Sequence, residues 1–279
     1  MVLSPGPVLT VASLNLHAGV DAANVPFDVA EACAALDADV VVLQEVWWPS
    51  GGQSQAADVA DALGYEVHWV SFGTGQRFAV RGGEPGRVGR WTGRPPAVVL
   101  DGRIPPPSTG GTGARRPARS RLAARAGGEP GQLGLAVLSR LPARSSPPIG
   151  LRVLGRDGAL RHALPVTVVV GRTEATVVGV HMAHLSQGSL LQYADLRRAV
   201  RSLGPRVIVA GDMNLWGPVV VRLLPGWQRA VTGRSWPAHL PISQPDHILV
   251  GEAWRTLSGE TLPGVGSDHR PVRARLQPV

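Results

Sequence analysis

The 279-residue chain contains no lysine; its 28 basic side chains are all arginine. That absence rules out a Walker A phosphate loop, which needs its lysine to reach the nucleotide phosphates. Cysteine is almost missing as well. Cys33 alone allows neither an internal disulfide nor a cysteine-based zinc site, and its alanine-rich, helical surroundings mark it as buried packing. No apolar run is long enough to span a bilayer. The N-terminal stretch MVLSPGPVLTVASLNLH lacks a basic leader region, so no secretory signal is expected and the cytoplasm is the expected location. At 44% apolar residues the chain reads as globular.

The formal net charge of +8 is unevenly spread. Residues 77–125 hold 11 arginines against Glu84 and Asp101, a local +9; the remaining 17 basic and 18 acidic residues leave the body at −1. This Gly/Pro/Arg-rich stretch lacks a sustained hydrophobic period, so residues 73–131 are expected to form an irregular insertion in a single domain spanning 1–279. A nucleic-acid-binding arm is compatible with that composition, although a solvated, arginine-biased appendage is the commoner outcome.

Elsewhere, short apolar runs alternate with helical patterns. Strands are expected at 8–14, 40–43, 65–72, 133–139, 163–170, 176–180, 207–210, 247–250 and 272–276, and helices at 26–36, 53–63, 189–203 and around 218–224. The stretch VIVAGDMNLW (207–216) stands out. A buried-strand signal breaks at Gly211 and presents Asp212 and Asn214, two residues apart and so able to face one way. A carboxylate beside a carboxamide suits metal-assisted hydrolysis: one accepts a proton or binds a cation, the other hydrogen-bonds a phosphate oxygen. An isolated G-D-x-N is as readily a polar turn.

The rest of the chain tips that balance. Polar residues recur where apolar stretches end: Asn15, Glu45, His181, Asp212 with Asn214, Asp246, and Asp268 with His269. Singly each has a structural explanation; a lone histidine after a strand is usually a hydrogen-bonded structural residue. Together they share one chemistry. Carboxylates and an amide suit Mg²⁺ or Mn²⁺, hard cations that prefer oxygen. Histidines beside carboxylates suit proton transfer near neutral pH. Trp47, Trp48 and Trp216 adjoin these residues and could wall a cleft, though packing explains them equally well.

Seven pieces in order resemble the endonuclease/exonuclease/phosphatase superfamily: SLNLHAG (13–19), VVLQEV (41–46), GLAVLSR (134–140), VVGVHM (177–182), VAGDMN (209–214), PDHILV (245–250) and GSDHRPV (266–272). The resemblance implies an α/β (α+β) fold, a four-layer sandwich of two facing mixed β-sheets flanked by helices, with the site at one edge. It implies Glu45 as principal metal ligand, with Asn15 and Asp268 close to the cation. Asp212 would orient or deprotonate the attacking water, Asn214 would bind a phosphate oxygen, Asp246 would hold His269 on the phosphate, and His181, in preference to His184, would assist the leaving group. The function expected is that of a monomeric, divalent-metal-dependent hydrolase of phosphate esters, a phosphodiesterase or nuclease, working away from membranes with Mg²⁺ or Mn²⁺. The alternative is a non-catalytic nucleic-acid-binding module acting through the arginine-rich insertion.

Overall fold

The computed structural model describes residues 6–79, 97–101 and 128–279. Two mixed sheets of seven strands each face one another. The first takes the strands β1 (Leu9–Asn15), β2 (Val40–Pro49), β3 (Glu66–Arg77), β4 (Val98–Leu100), β5 (Glu129–Ser139), β13 (Trp254–Thr261) and β14 (Val272–Pro278), in the order β13-β14-β1-β2-β5-β3-β4. The second takes β6 (Ala143–Ser145), β7 (Ile149–Gly150), β8 (His162–Val170), β9 (Thr173–His181), β10 (Val207–Asp212), β11 (Gln228–Arg229) and β12 (Asp246–Val250), ordered β11-β12-β10-β9-β8-β6 with β7 on β8. Among the described residues each sheet has one parallel pair, β1 with β2 and β9 with β10, and antiparallel pairing elsewhere.

Alternation of side chains along the strands sorts the apolar residues into layers. Val11, Val42, Leu135 and Val137 of the first sheet meet Val166, Val168, Ile208 and Ile248 of the second in the central core. The opposite face of the first sheet, with Leu14, Val41 and Leu43, packs on Cys33 and Val59 from helices α1 (Val29–Ala34) and α2 (Gln55–Leu63). Val178, Val180 and Val209 of the second sheet pack on Tyr193, Leu196 and Val200 of α3 (Leu190–Ser202) and Val220 of α4 (Val219–Leu223). Strands covered on both faces must be apolar throughout, which is why β10 reads as an unbroken buried run. Each fully buried Val or Leu contributes about 1.5–3 kcal/mol.

Local chemistry sets the helix ends. Asp28 accepts a hydrogen bond from Glu31 N and starts α1 later than residue 26, and Ser54 caps α2 by accepting from Ala57 N. The expected irregular span is also shorter than 73–131. β3 continues to Arg77 and pairs with β5 back to Glu129, and Val98–Leu100 joins them as β4. The glycines here serve close strand approach: a Cβ on Gly75 would lie 2.5 Å from Val99 O, and one on Gly131 would lie 2.3 Å from Trp48 O. Most of the arginine-rich stretch, at 80–96 and 102–127, lies outside the described residues. No helix among the described residues is long and apolar enough to cross a membrane.

Candidate active site

Strand register brings the polar strand ends together. In the first sheet Asn15 is opposite Gln44, next to Glu45; in the second, Asp212 is opposite His181 on one side and Asp246 on the other. The two sheets meet at this edge, where Asn15 Nδ2 donates to Asp212 Oδ2 at 3.1 Å and to Glu45 Oε1 at 3.3 Å. An open cleft of about 530 Å³ results, lined by Asn15, Glu45, His181, Asp212, Asn214, Asp268 and His269 among others. Seven of the eight expected site residues therefore share one cavity; the eighth, Asp246, is fully buried behind His269.

Backbone geometry aims several of these side chains. Glu45 sits at a bulge in the β2–β5 ladder with φ 52°. Asn214 and His17, also on the cleft, have φ 48°. Non-glycine residues held in this region are rare and cost about 1–3 kcal/mol each. Gly211 is a glycine of necessity: its φ is +148°, and a Cβ there would meet Val180 O at 1.9 Å. The turn after it is pinned from three sides. Tyr193 Oη donates to Met213 O at 2.6 Å, Met213 N donates to Pro245 O, and Met182 N donates to Asp212 O.

Asp212 is the centre of the network. Oδ1 accepts from Asn214 N at 2.8 Å, while Oδ2 lies 3.7 Å from His181 Nε2 and 3.9 Å from His269 Nε2. Burial, then the neighbouring negative charge of Asp246, pushes its pKa up to about 6, against the opposing pull of His269 and the two hydrogen bonds. His269 Nδ1 donates to Asp246 Oδ2 at 2.8 Å, and Ser235 Oγ donates to the same oxygen at 2.6 Å. Burial works against a charged His269, but Asp246, Asp212 and Asp268 override it and raise its pKa to about 10. His181, buried with Nε2 3.8 Å from Glu45, goes the other way: desolvation, with Arg161 and His269, holds it well below its usual range. His184 sits at the rim of the cleft and forms no ion pair with Asp212 or Glu45, so His181 is the histidine that joins the cluster. Asn214 gives one amide hydrogen to Met182 O at 2.8 Å.

Three supporting residues were given no role from the sequence, although Ser267 lies within the GSDHRPV piece. Ser235 orients Asp246, Ser267 Oγ donates to Asn15 O at 2.6 Å, and Trp236 Nε1 donates to Asp268 Oδ2 at 3.4 Å. Of the tryptophans expected near the site, Trp216 lines the cleft. Trp47 does not: it is buried with Nε1 bonded to Glu129, and Trp48 packs on Trp69 with ring centroids 4.4 Å apart.

A model of the Endonuclease/Exonuclease/phosphatase family matches residues 12–269. The chain belongs to this family. Its members are typically metal-dependent hydrolases of phosphate esters. Solved structures agree on the fold. An endonuclease/exonuclease/phosphatase from Beutenbergia cavernae is 20% identical with a TM-score of 0.63, covering 98% of this chain and 72% of its own. A family protein from Leptotrichia buccalis is 12% identical with a TM-score of 0.64, covering 96% and 99%. The human Nocturnin catalytic domain with bound sulfate is 14% identical with a TM-score of 0.62, covering 98% and 94%. No curated protein matches the chain.

The cleft's own chemistry fits the divalent cation typical of the family. Glu45, Asp212 and Asp268 line it with carboxylates, Asn15 and Asn214 add amide oxygens, and no arginine among the described residues lines it. Two groupings offer ligands. Asp212, Asp246 and His269 hold three candidate atoms within 4.8 Å of one another. There, His269 Nδ1 and Asp246 Oδ2 are bonded to each other and Ser235 holds the same oxygen, so an ion that kept this pair intact would have His269 Nε2 and the unpartnered Asp246 Oδ1 to use beside Asp212. Glu45 and Asp268 are more open, with side chains 22% and 19% exposed. Asn15 turns Oδ1 to His17 N at 2.9 Å, which leaves that oxygen one further lone pair.

Proposed function

We propose that the chain is a phosphodiesterase that hydrolyses its substrate with water and a bound Mg²⁺ or Mn²⁺, within a single domain. Glu45, with Asp268 and Asn15, would hold the cation. The ion would supply charge neutralisation for the phosphoryl oxygens and a lower pKa for water. Asp212, with a pKa of about 6, is suited to accept the proton of the attacking water near neutral pH. His269, kept cationic by Asp246, and the second amide hydrogen of Asn214 would bind the phosphoryl oxygens and stabilise the charge that builds on them. As the bond from phosphorus to the leaving oxygen breaks, that oxygen takes its proton from solvent water, and the role proposed for His181, kept neutral by burial, is to assist the leaving oxygen by hydrogen bonding.

The observation that carries this reading is the convergence on Asp212 of His181, His269, Asn15 and Asn214 from four separate stretches of chain. The test is a panel of phosphodiesters and phosphomonoesters, beginning with bis(p-nitrophenyl) phosphate. Hydrolysis is expected with Mg²⁺ or Mn²⁺, loss in EDTA, and recovery when the ion is restored. Undiminished hydrolysis in chelator, or none on any ester, would overturn the proposal.

A further inference from the structure

The cleft that holds the acidic cluster continues into a second hollow of different character. The two share Trp216 and Ser243. The second hollow, about 270 Å³, is lined by Arg229, Arg234, Ile242 and Gln244 among others, and by no carboxylate among the described residues. No ion pair among the described residues involves Arg229 or Arg234. Arg229, on β11, is half-buried, and Nη1 donates only to the neutral Gln244 Oε1 at 3.0 Å. Gln244 is held in that orientation by Nε2 donating to Val231 O at 2.9 Å. The guanidinium lies beside the Trp216 turn, with Nη1 3.9 Å from where a Cβ on Gly217 would be. Arg234 is exposed. Between the two hollows stands Trp216, 58% exposed, a large aromatic face that the core does not use.

A half-buried cation without a carboxylate gains most from an anionic ligand, and a guanidinium fork matches phosphate geometry. The order across the surface is therefore a phosphoryl-binding cleft, an exposed indole and a pair of unpaired arginines. That order matches two phosphates separated by a flat ring, the repeat of a nucleotide strand, whose bases stack on aromatic side chains. It disfavours a cationic head group at the second position. We propose that Arg229 and Arg234 form a subsite for a second phosphate, one nucleotide away from the ester being cleaved, with Trp216 stacking on the intervening base. This rests on the phosphodiesterase reading and narrows its substrate class to single-stranded oligonucleotides and dinucleotides.

The test compares the thymidine dinucleotide TpT with its terminally phosphorylated forms pTpT and TpTp, binding each to the full chain by titration calorimetry with Ca²⁺ present. One terminal phosphate is expected to tighten binding about tenfold or more in the wild type. In the Arg229→Gln/Arg234→Gln variant that gain should vanish, while the affinity for TpT stays within about twofold. Arg234→Gln alone, at an exposed position, should lose at least about threefold of the gain and keeps the test decisive if the double variant folds poorly. A terminal phosphate that adds nothing to the wild type, or a gain that survives in the variants, overturns the subsite. If the wild type cleaves neither TpT nor bis(p-nitrophenyl) phosphate with Mg²⁺ or Mn²⁺, the phosphodiesterase reading fails, and the binding comparison still decides the subsite.

Discussion

Replacing Asp212 by Asn should make the protein inactive and more stable at once. The two carboxyl oxygens of Asp212 accept from Asn15 and Asn214, so an isosteric amide keeps the shape of the turn and at least one of those bonds. What it removes is a buried negative charge facing Asp246. A pKa raised from 3.8 to about 6 means that the folded state binds the proton more tightly than the unfolded state does. The stability contributed by that proton is fully present below pH 3.8 and is lost as pH rises through 6. At about 1.4 kcal/mol per pH unit, the ionised carboxylate destabilises the fold by up to about 3 kcal/mol at pH 8. Asp212→Asn should recover much of this. Urea denaturation in EDTA is the assay: the variant should be about 1–3 kcal/mol more stable than wild type at pH 8, and the difference should shrink toward zero near pH 4. Hydrolysis of bis(p-nitrophenyl) phosphate with Mg²⁺ should fall by at least about 100-fold, the usual scale for losing a general base. A variant less stable than wild type at pH 8, or with the same offset at both pH values, would refute the electrostatic reasoning. Wild-type turnover would refute the role in chemistry.

Three other outcomes follow from the packing. His247 is buried with Nε2 donating to Leu215 O at 2.8 Å, and desolvation lowers its pKa to about 4. Its neutral form contributes stability above pH 6.5 that is lost as pH falls toward 4, about 3 kcal/mol in all; His247→Gln should show a flatter fall over that window in a pH series of urea melts. Leu135→Ala, between the two sheets with no exposed surface, should cost about 2–5 kcal/mol in the same assay. Burial raises the Cys33 thiol to about 12, so it should resist Ellman's reagent in the native protein and react promptly in urea.

The residues at the site were legible because the strands that deliver them are buried on both faces. An apolar run ending in Asp, His or Asn is conspicuous in sequence, and the register of β9 with β10 turns two such endings into neighbours. What was illegible depends on partners distant along the chain. Nothing near Ser235 says that it will face Asp246, and Glu45 reads as the end of a strand, although β2 continues past it through a bulge. β13 carries almost no apolar signal because it is an edge strand with most of its residues exposed. The glycines at 75 and 131 look like loop residues until the strands are seen to approach too closely for a side chain. For Trp47 and Trp48, which the sequence left between cleft and packing, the packing reading holds, because the bulge at Glu45 breaks the alternation that would otherwise put Trp47 on the face of Glu45.

The arrangement also explains why the site sits at this edge and no other. Only a parallel pair brings two strand C-termini side by side, and among the described residues each sheet contains a single such pair, near its middle. When the sheets pack, the two pairs face each other, and Asn15 of one reaches Asp212 of the other. The surrounding strands are covered on both sides, so the backbone there cannot relax. Glu45 and Asn214 can therefore be kept at positive φ, and Asp212 can be kept charged near Asp246, each against a cost of about 1 kcal/mol or more. The central apolar layer offsets that cost, and for this reason substitutions that relieve strain or charge at the cluster should stabilise the fold while removing its chemistry.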